Sequence, residues 1–109
     1  MKILDVPFCT IDWNTVTPSE HVGIKGKAYW RTLEIGNIRL RMVEYTPGYV
    51  ADHWCKRGHV LLVMDGELTT ELSDGRKFSL TTGMSYQVAD DTHPHRSSTE
   101  TGVRLFIVD

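Results

Sequence analysis

Turn signals cut this chain at short, regular intervals: Gly36-Asn37, Pro47-Gly48, Asp65-Gly66, Asp74-Gly75, Gly83 and Gly102. The runs between them are about four to ten residues long, too short for helices that bury a face and right for strands. Several runs carry a period of two. In Asn37 to Glu44, Ile38, Leu40 and Met42 alternate with Arg39, Arg41 and Val43, so the apolar set is expected on the core side and the arginines outside. Lys27 to Ile35 joins this run through Gly36-Asn37, a hairpin signal. His59 to Met64 is apolar on both faces and reads as a central strand. Leu68, Thr70 and Leu72 alternate with Glu67, Thr69 and Glu71; Met84, Tyr86 and Val88 share a face, as do Leu105 and Ile107. Thr10 to Lys27 shows no period and reads as a loop or a single short turn. The expectation is an all-β, antiparallel barrel or jelly roll of about six to ten strands.

With 109 residues, residues 1–109 make a single domain, with no room for a second. Twelve Lys and Arg against fourteen Asp and Glu give a net charge of −2. Nothing forms a basic footprint, so no nucleic acid is expected, and no run of apolar residues is long enough to span a membrane. The start, MKILDVPFCTIDW, lacks the apolar stretch of a secretion signal, and the expected location is cytoplasmic. There Cys9 and Cys55 would stay unbridged, Cys9 as a small buried residue. His21 is expected exposed in its loop. A short strand ladder has edges to protect, so residues 1–26 are expected to supply an N-terminal strand and loop that cross to a partner in a homodimer.

Four of the five histidines fall in two clusters. The first is Asp52-His53-Trp54-Cys55, followed by His59 at the start of the apolar strand. His53 and Cys55 are two apart, which on a strand puts both on one face. Imidazole and thiolate suit Zn, Ni, Cu or Fe. The spacing matches no zinc finger, and His53 and His59 as barrel-rim residues with Cys55 as a small hydrophobe is an equal alternative on spacing alone. The second cluster is Asp90-Asp91-Thr92-His93-Pro94-His95-Arg96. Alternation and Pro94 let one of its histidines turn inward, not both.

These residues resemble the two motifs of the cupin superfamily, the RmlC-like barrels. Gly48, His53, Cys55, His59 and Gly66 fall in the frame of the first motif, with Cys55 where a second His is usual and His59 where Glu is usual. Gly83 opens the second motif, and His95 matches its His if the preceding turn carries one extra residue; His93 is the fallback. Asp52-His53-Trp54-Cys55, with Tyr29-Trp30-Arg31-Thr32 and His95-Arg96-Ser97-Ser98, resembles the DHCW-motif cupin subgroup.

The resemblance implies an antiparallel double-stranded β-helix holding one divalent transition metal, Zn, Ni or Fe, on His53, Cys55, His59 and His95. Exchanging Glu for His and His for thiolate leaves the ligand charge unchanged and makes the site softer. Tyr86 and Arg96 are candidates for substrate contact, against the plainer roles of core packing and a solvated charge. Asp52 is expected as an edge charge on the face opposite His53, and Tyr49 and Trp54 as cover on the outside of the barrel. Two functions follow from such a site: a metal-dependent oxygenase or isomerase acting on a small organic molecule, or a non-catalytic small-ligand or metal-binding sensor module.

Overall fold

The computed structural model describes residues 1–109. A 3₁₀ turn at Trp13–Thr15 precedes eight strands: β1 Ser19–Val22, β2 Lys27–Ile35, β3 Ile38–Tyr45, β4 His59–Leu72, β5 Lys77–Thr81, β6 Ser85–Val88, β7 His95–Ser98 and β8 Val103–Val108. They pair antiparallel throughout, in the order β1-β2-β3-β8-β4-β5, with β6 and β7 also on β4. The chain is all-β, as the turn spacing predicts.

The long strand β4 closes the structure. Its first half pairs with β8 and β6, and its second half with β5 and β7. The change of partners follows a bulge, where the register against β8 slips between Val63 and Asp65. Asp65-Gly66 is therefore not a strand end, contrary to its turn signature. Gly66 has φ +94°, and a Cβ there would lie 2.3 Å from the Gly102 carbonyl oxygen. The glycine lets one strand bend from sheet to sheet while the β7–β8 turn packs against it.

The core lies between the two sheets. Val43, Leu61, Val63, Leu68, Leu80, Val103, Leu105 and Ile107 form one buried cluster. At the expected burial increment of roughly 1.5–3 kcal/mol per large apolar side chain, this cluster is the main source of stability. Along β4 the alternation is plain: His59, Leu61 and Val63 are buried, while Val60, Leu62 and Met64 are exposed.

Strand β3 reverses the sequence expectation. Arg41 and Val43 are buried, and Arg39 shares their face. Ile38, Leu40 and Met42 lie on the outer face, half-buried. The register sets this polarity: Arg41 stands opposite Ile107, Val43 opposite Leu105 and Arg39 beside Asp109 at the end of β8. The inward arginines are made tolerable by the Asp109 carboxylate, which takes two bonds from Arg39 (2.8 and 3.0 Å) and one from Arg41 (3.0 Å).

Four local expectations are also corrected. Ser19–Val22 is an edge strand; its sequence carries no buried period because only His21 is partly covered. That ring stacks on Trp30 with centroids 3.9 Å apart, so His21 is not a freely exposed loop residue. Cys9 is exposed, because the N-terminal segment runs over the surface. Tyr49 is inside, stacked on Tyr45 and packed with Ala28 and Ala51. At the start of the chain, the Leu4 N–H donates to Asn37 Oδ1 (2.8 Å) in the β2–β3 turn, and Asn37 Nδ2 donates to the Lys2 carbonyl (2.7 Å).

Candidate metal centre

Three elements converge at one end of the barrel. His59 opens β4, His95 opens β7, and Cys55 lies in the segment before β4, joined to β7 by an isolated bridge. The bridge is reciprocal: the Cys55 N–H donates to the His95 carbonyl (2.7 Å), and the His95 N–H donates to that of Cys55 (2.9 Å). The potential ligand atoms of Cys55, His59 and His95 all lie within 4.8 Å of one another. Both histidines are buried, and Cys55 is half-buried.

The hydrogen bonds settle how His95 points. Its Nδ1 is 2.8 Å from the His93 carbonyl oxygen. A carbonyl only accepts, so Nδ1 carries the proton and the neutral ring presents the Nε2 lone pair inward. That Nε2 is 3.1 Å from Nε2 of His59. Two imidazole nitrogens this close share a proton or a cation. Two N ligands on one ion, at about 2.0–2.1 Å each, stand roughly 3 Å apart, so the spacing fits a shared metal. The Tyr86 hydroxyl lies 2.9 Å from the same His59 nitrogen. His59 Nδ1 is buried without a hydrogen-bond partner, with Asp109 Oδ2 at 3.7 Å.

Electrostatics favour the ligand forms of His59 and Cys55. Burial, then the neighbouring His95, pushes the His59 pKa down to about 4, so the ring is neutral near pH 7. The hydrogen bond between Cys55 and His95 lowers the thiol pKa and raises that of the imidazole. A thiol biased toward thiolate beside two imidazoles is a donor set for a borderline or soft divalent ion.

The other sequence candidates are placed apart from this group. His53 does not join it: its Nδ1 is 2.7 Å from Asp52 Oδ1, with the imidazole 67% exposed. The strand alternation that would align His53 with Cys55 is broken locally. Between the bridges Val50–Ser98 and Cys55–His95, one side advances five residues and the other three, so two extra residues bend outward at Asp52-His53. His53 still lines the cavity mouth. His93 is exposed, and its contribution to the cluster is the carbonyl on His95. The Arg96 guanidinium donates to Glu71 (2.7 Å) and covers the Trp54 ring at 4.6 Å. Tyr86 turns its hydroxyl to His59, and burial raises its pKa well above the usual phenol value.

A cavity of about 280 Å³ adjoins the cluster, with Cys55, His59 and His95 on its wall. Trp30 also lines it, together with Arg39 and Arg41, the two arginines that strand polarity alone places outside. An apolar cavity of about 230 Å³ shares Tyr86 and His95 but not Cys55 or His59.

No family model and no curated protein matches the sequence. Solved structures do. The chain superposes on ectoine synthase from P. lautus with a TM-score of 0.77 at 16% identity, covering 93% of this chain and 76% of that one. The cupin domain of Cnp3 from Schizosaccharomyces pombe superposes with a TM-score of 0.73 at 10% identity, covering 91% and 71%. The fold is that of a cupin. The polyketide cyclase RemF from Streptomyces resistomycificus shares this cupin fold with a TM-score of 0.77 at 19% identity, covering 94% and 78%. Identities this low establish the barrel and leave the chemistry to this chain's own residues.

Proposed function

We propose that this cupin is a metal-dependent enzyme acting on a small organic molecule, with a divalent transition metal (Zn, Ni or Fe) held by Cys55, His59 and His95. The observation that carries this reading is the convergence of these three donor groups beside a cavity large enough for a small ligand. Three protein ligands leave coordination positions open, the arrangement of catalytic rather than structural sites. The presence of enzymes among the structural neighbours, ectoine synthase and RemF, is consistent with it. In this reading solvent or substrate takes the open position; His53, the fourth ligand that the sequence suggests, would reach it only by turning away from Asp52.

A bound metal of this kind supplies Lewis acidity or, as iron, access to oxygen chemistry, which is why an oxygenase or isomerase fits. The protein's own residues do the rest. The His93 carbonyl fixes the His95 tautomer, Tyr86 holds a hydroxyl at the cluster, and Trp30, Leu61 and Ile107 offer an apolar surface to the ligand's body. The alternative is a sensor module, favoured if His53 closes a four-ligand shell around zinc.

The Asp52-His53-Trp54-Cys55 string supports membership of the DHCW-motif subgroup. No helix is long and apolar enough to cross a membrane, and the two free cysteines suit a reducing cytoplasm. Exposed Val60, Leu62 and Met64, on one sheet face with Phe106 and Val108 of β8 and, beyond them, Leu40 and Met42 of β3, suit a homodimer.

The test is elemental analysis of untagged protein, followed by oxygen uptake by the iron form with small thiols and diketones, and isomerase assays of the Zn and Ni forms. About one ion per chain and substrate-dependent turnover are expected. A protein that refuses Zn, Ni and Fe alike overturns the site. Stoichiometric metal without turnover supports the sensor.

A further inference from the structure

The cavity beside the Cys-His cluster has a charge imbalance that the metal reading does not use. Arg39 and Arg41 point inward from β3, and Arg57 stands at the edge. One carboxylate, Asp109, answers all three, at 2.8 Å from Arg39, 3.0 Å from Arg41 and 3.6 Å from Arg57. Three guanidinium groups thus share one carboxylate within 4 Å, and Glu34 and the Cys55 thiol add only weaker, longer-range attraction to Arg39. Arg96, also on the wall, is already matched by Glu71 at 2.7 Å.

Arg41 is the most constrained of them. Its side chain is 8% exposed, and its Nε is buried with no hydrogen-bond partner. Its guanidinium lies over the Trp30 ring, 4.6 Å from the centroid, and Arg39 lies over the same ring at 5.9 Å. A buried unsatisfied guanidinium N–H is costly, and a guanidinium held in place over an indole can offer its planar fork to an oxyanion. Trp30, Tyr45, Leu61 and Ile107 supply an apolar and aromatic part of the same wall. Asp109 Oδ2 lies between Arg41 and His59, at 3.0 and 3.7 Å. The cationic end is therefore one side chain away from the ligand cluster.

We propose that Arg39 and Arg41 form a carboxylate-binding subsite, so that the ligand of this cavity is a small organic acid with an apolar body. Its carboxylate sits on the guanidinium pair, and its body lies along Trp30 and Ile107 toward Cys55, His59 and His95. The statement that this acid is the substrate rests on the metal-centre reading above; the carboxylate subsite itself does not.

The experiment titrates chelator-treated, metal-free protein with benzoate, 3-phenylpropanoate and butanoate and with their uncharged amides, read by tryptophan fluorescence and by calorimetry. The carboxylates are expected to bind at least about tenfold more tightly than the amides, with affinity falling as salt rises. Arg41→Lys keeps the charge but loses the fork, and should weaken carboxylate binding about tenfold without affecting the amides. Equal affinity for acid and amide, no carboxylate binding below about 10 mM, or an Arg41→Lys protein that binds as wild type overturns the proposal. If Arg41→Lys does not fold, the acid-amide comparison in wild type decides. Carboxylate binding by a protein that takes up no metal would overturn the metal centre and leave the subsite standing; metal uptake without carboxylate binding would do the reverse.

Discussion

Nε2 of His59 and Nε2 of His95 face each other at 3.1 Å, although 36 residues separate them in sequence. Neither ring reaches this position alone. His59 is carried by the central strand, and His95 is turned inward by β7 and pinned through Nδ1 to the His93 carbonyl. The pairing separates the two histidines of the second cluster by role: His95 offers a ring nitrogen, and His93 offers a backbone oxygen.

Ligand substitutions should therefore be unequal. His95→Ala and His59→Ala are expected to weaken zinc or nickel binding by more than about a hundredfold, beyond the usual cost of losing a supporting contact. His93→Ala keeps the carbonyl and should cost less than about tenfold. Competition titration with a chromophoric chelator measures all three. A larger loss from His93→Ala than from His95→Ala would reverse the assignment.

The buried state of His59 predicts a pH dependence of stability. In the unfolded chain this imidazole titrates near 6.5, and in the native protein near 4. Between those values the unfolded chain binds a proton that the folded one refuses, so stability falls as the pH drops through that window. The full effect is about 3 kcal/mol. His95, whose pKa is raised by Cys55, adds stability below the unfolded value and loses it as pH rises through its own. Comparing metal-free wild type with His59→Gln isolates the His59 contribution: urea unfolding at pH 7 and pH 5 should show a smaller difference in the variant.

Asp109 holds the inward arginines in place. Burial alone would raise its pKa, but the Arg39 hydrogen bond and the charges of Arg41 and Arg39 hold it below the ordinary carboxylate value. Asp109→Asn leaves these guanidinia without their counter-charge and should destabilise the fold by about 3–5 kcal/mol. Denaturant unfolding at pH 7 reads this directly. A change within about 0.5 kcal/mol would mean that the arginines are solvated rather than held.

The bend in β4 gives a purely structural prediction. A Cβ at Gly66 would press on the Gly102 carbonyl at 2.3 Å from a left-handed backbone. Gly66→Ala should cost at least about 2 kcal/mol, measured as a lowered midpoint in thermal or urea unfolding. An unchanged midpoint would show that the β4 bend and the β7–β8 turn are not in contact.

The barrel was legible in the sequence because turn residues and period-two runs are local signals. The alternating buried residues of β4, and the Gly36-Asn37 and Asp74-Gly75 turns, could be read directly. What failed was whatever depends on a distant partner. The faces of β3 were separated correctly but assigned the wrong way round, because Arg39 and Arg41 point inward only in the company of Asp109, some 70 residues on. His53 was paired with Cys55 by strand alternation, which two extra residues at Asp52-His53 interrupt. Tyr49 and Cys9 were exchanged in burial, since neither lies in a run with a period. The Cys55, His59 and His95 candidates came from residue chemistry and family resemblance. Their convergence is a property of the fold, and spacing alone left it open.

The most direct test of the metal centre is the optical spectrum of cobalt(II) titrated into untagged, metal-free protein. The account predicts a thiolate-to-cobalt charge-transfer band that saturates at about one ion per chain and disappears in Cys55→Ser, while the d–d bands change on addition of a ligand that enters an open position. A spectrum with no charge-transfer band, or one that Cys55→Ser leaves unaltered, would contradict it.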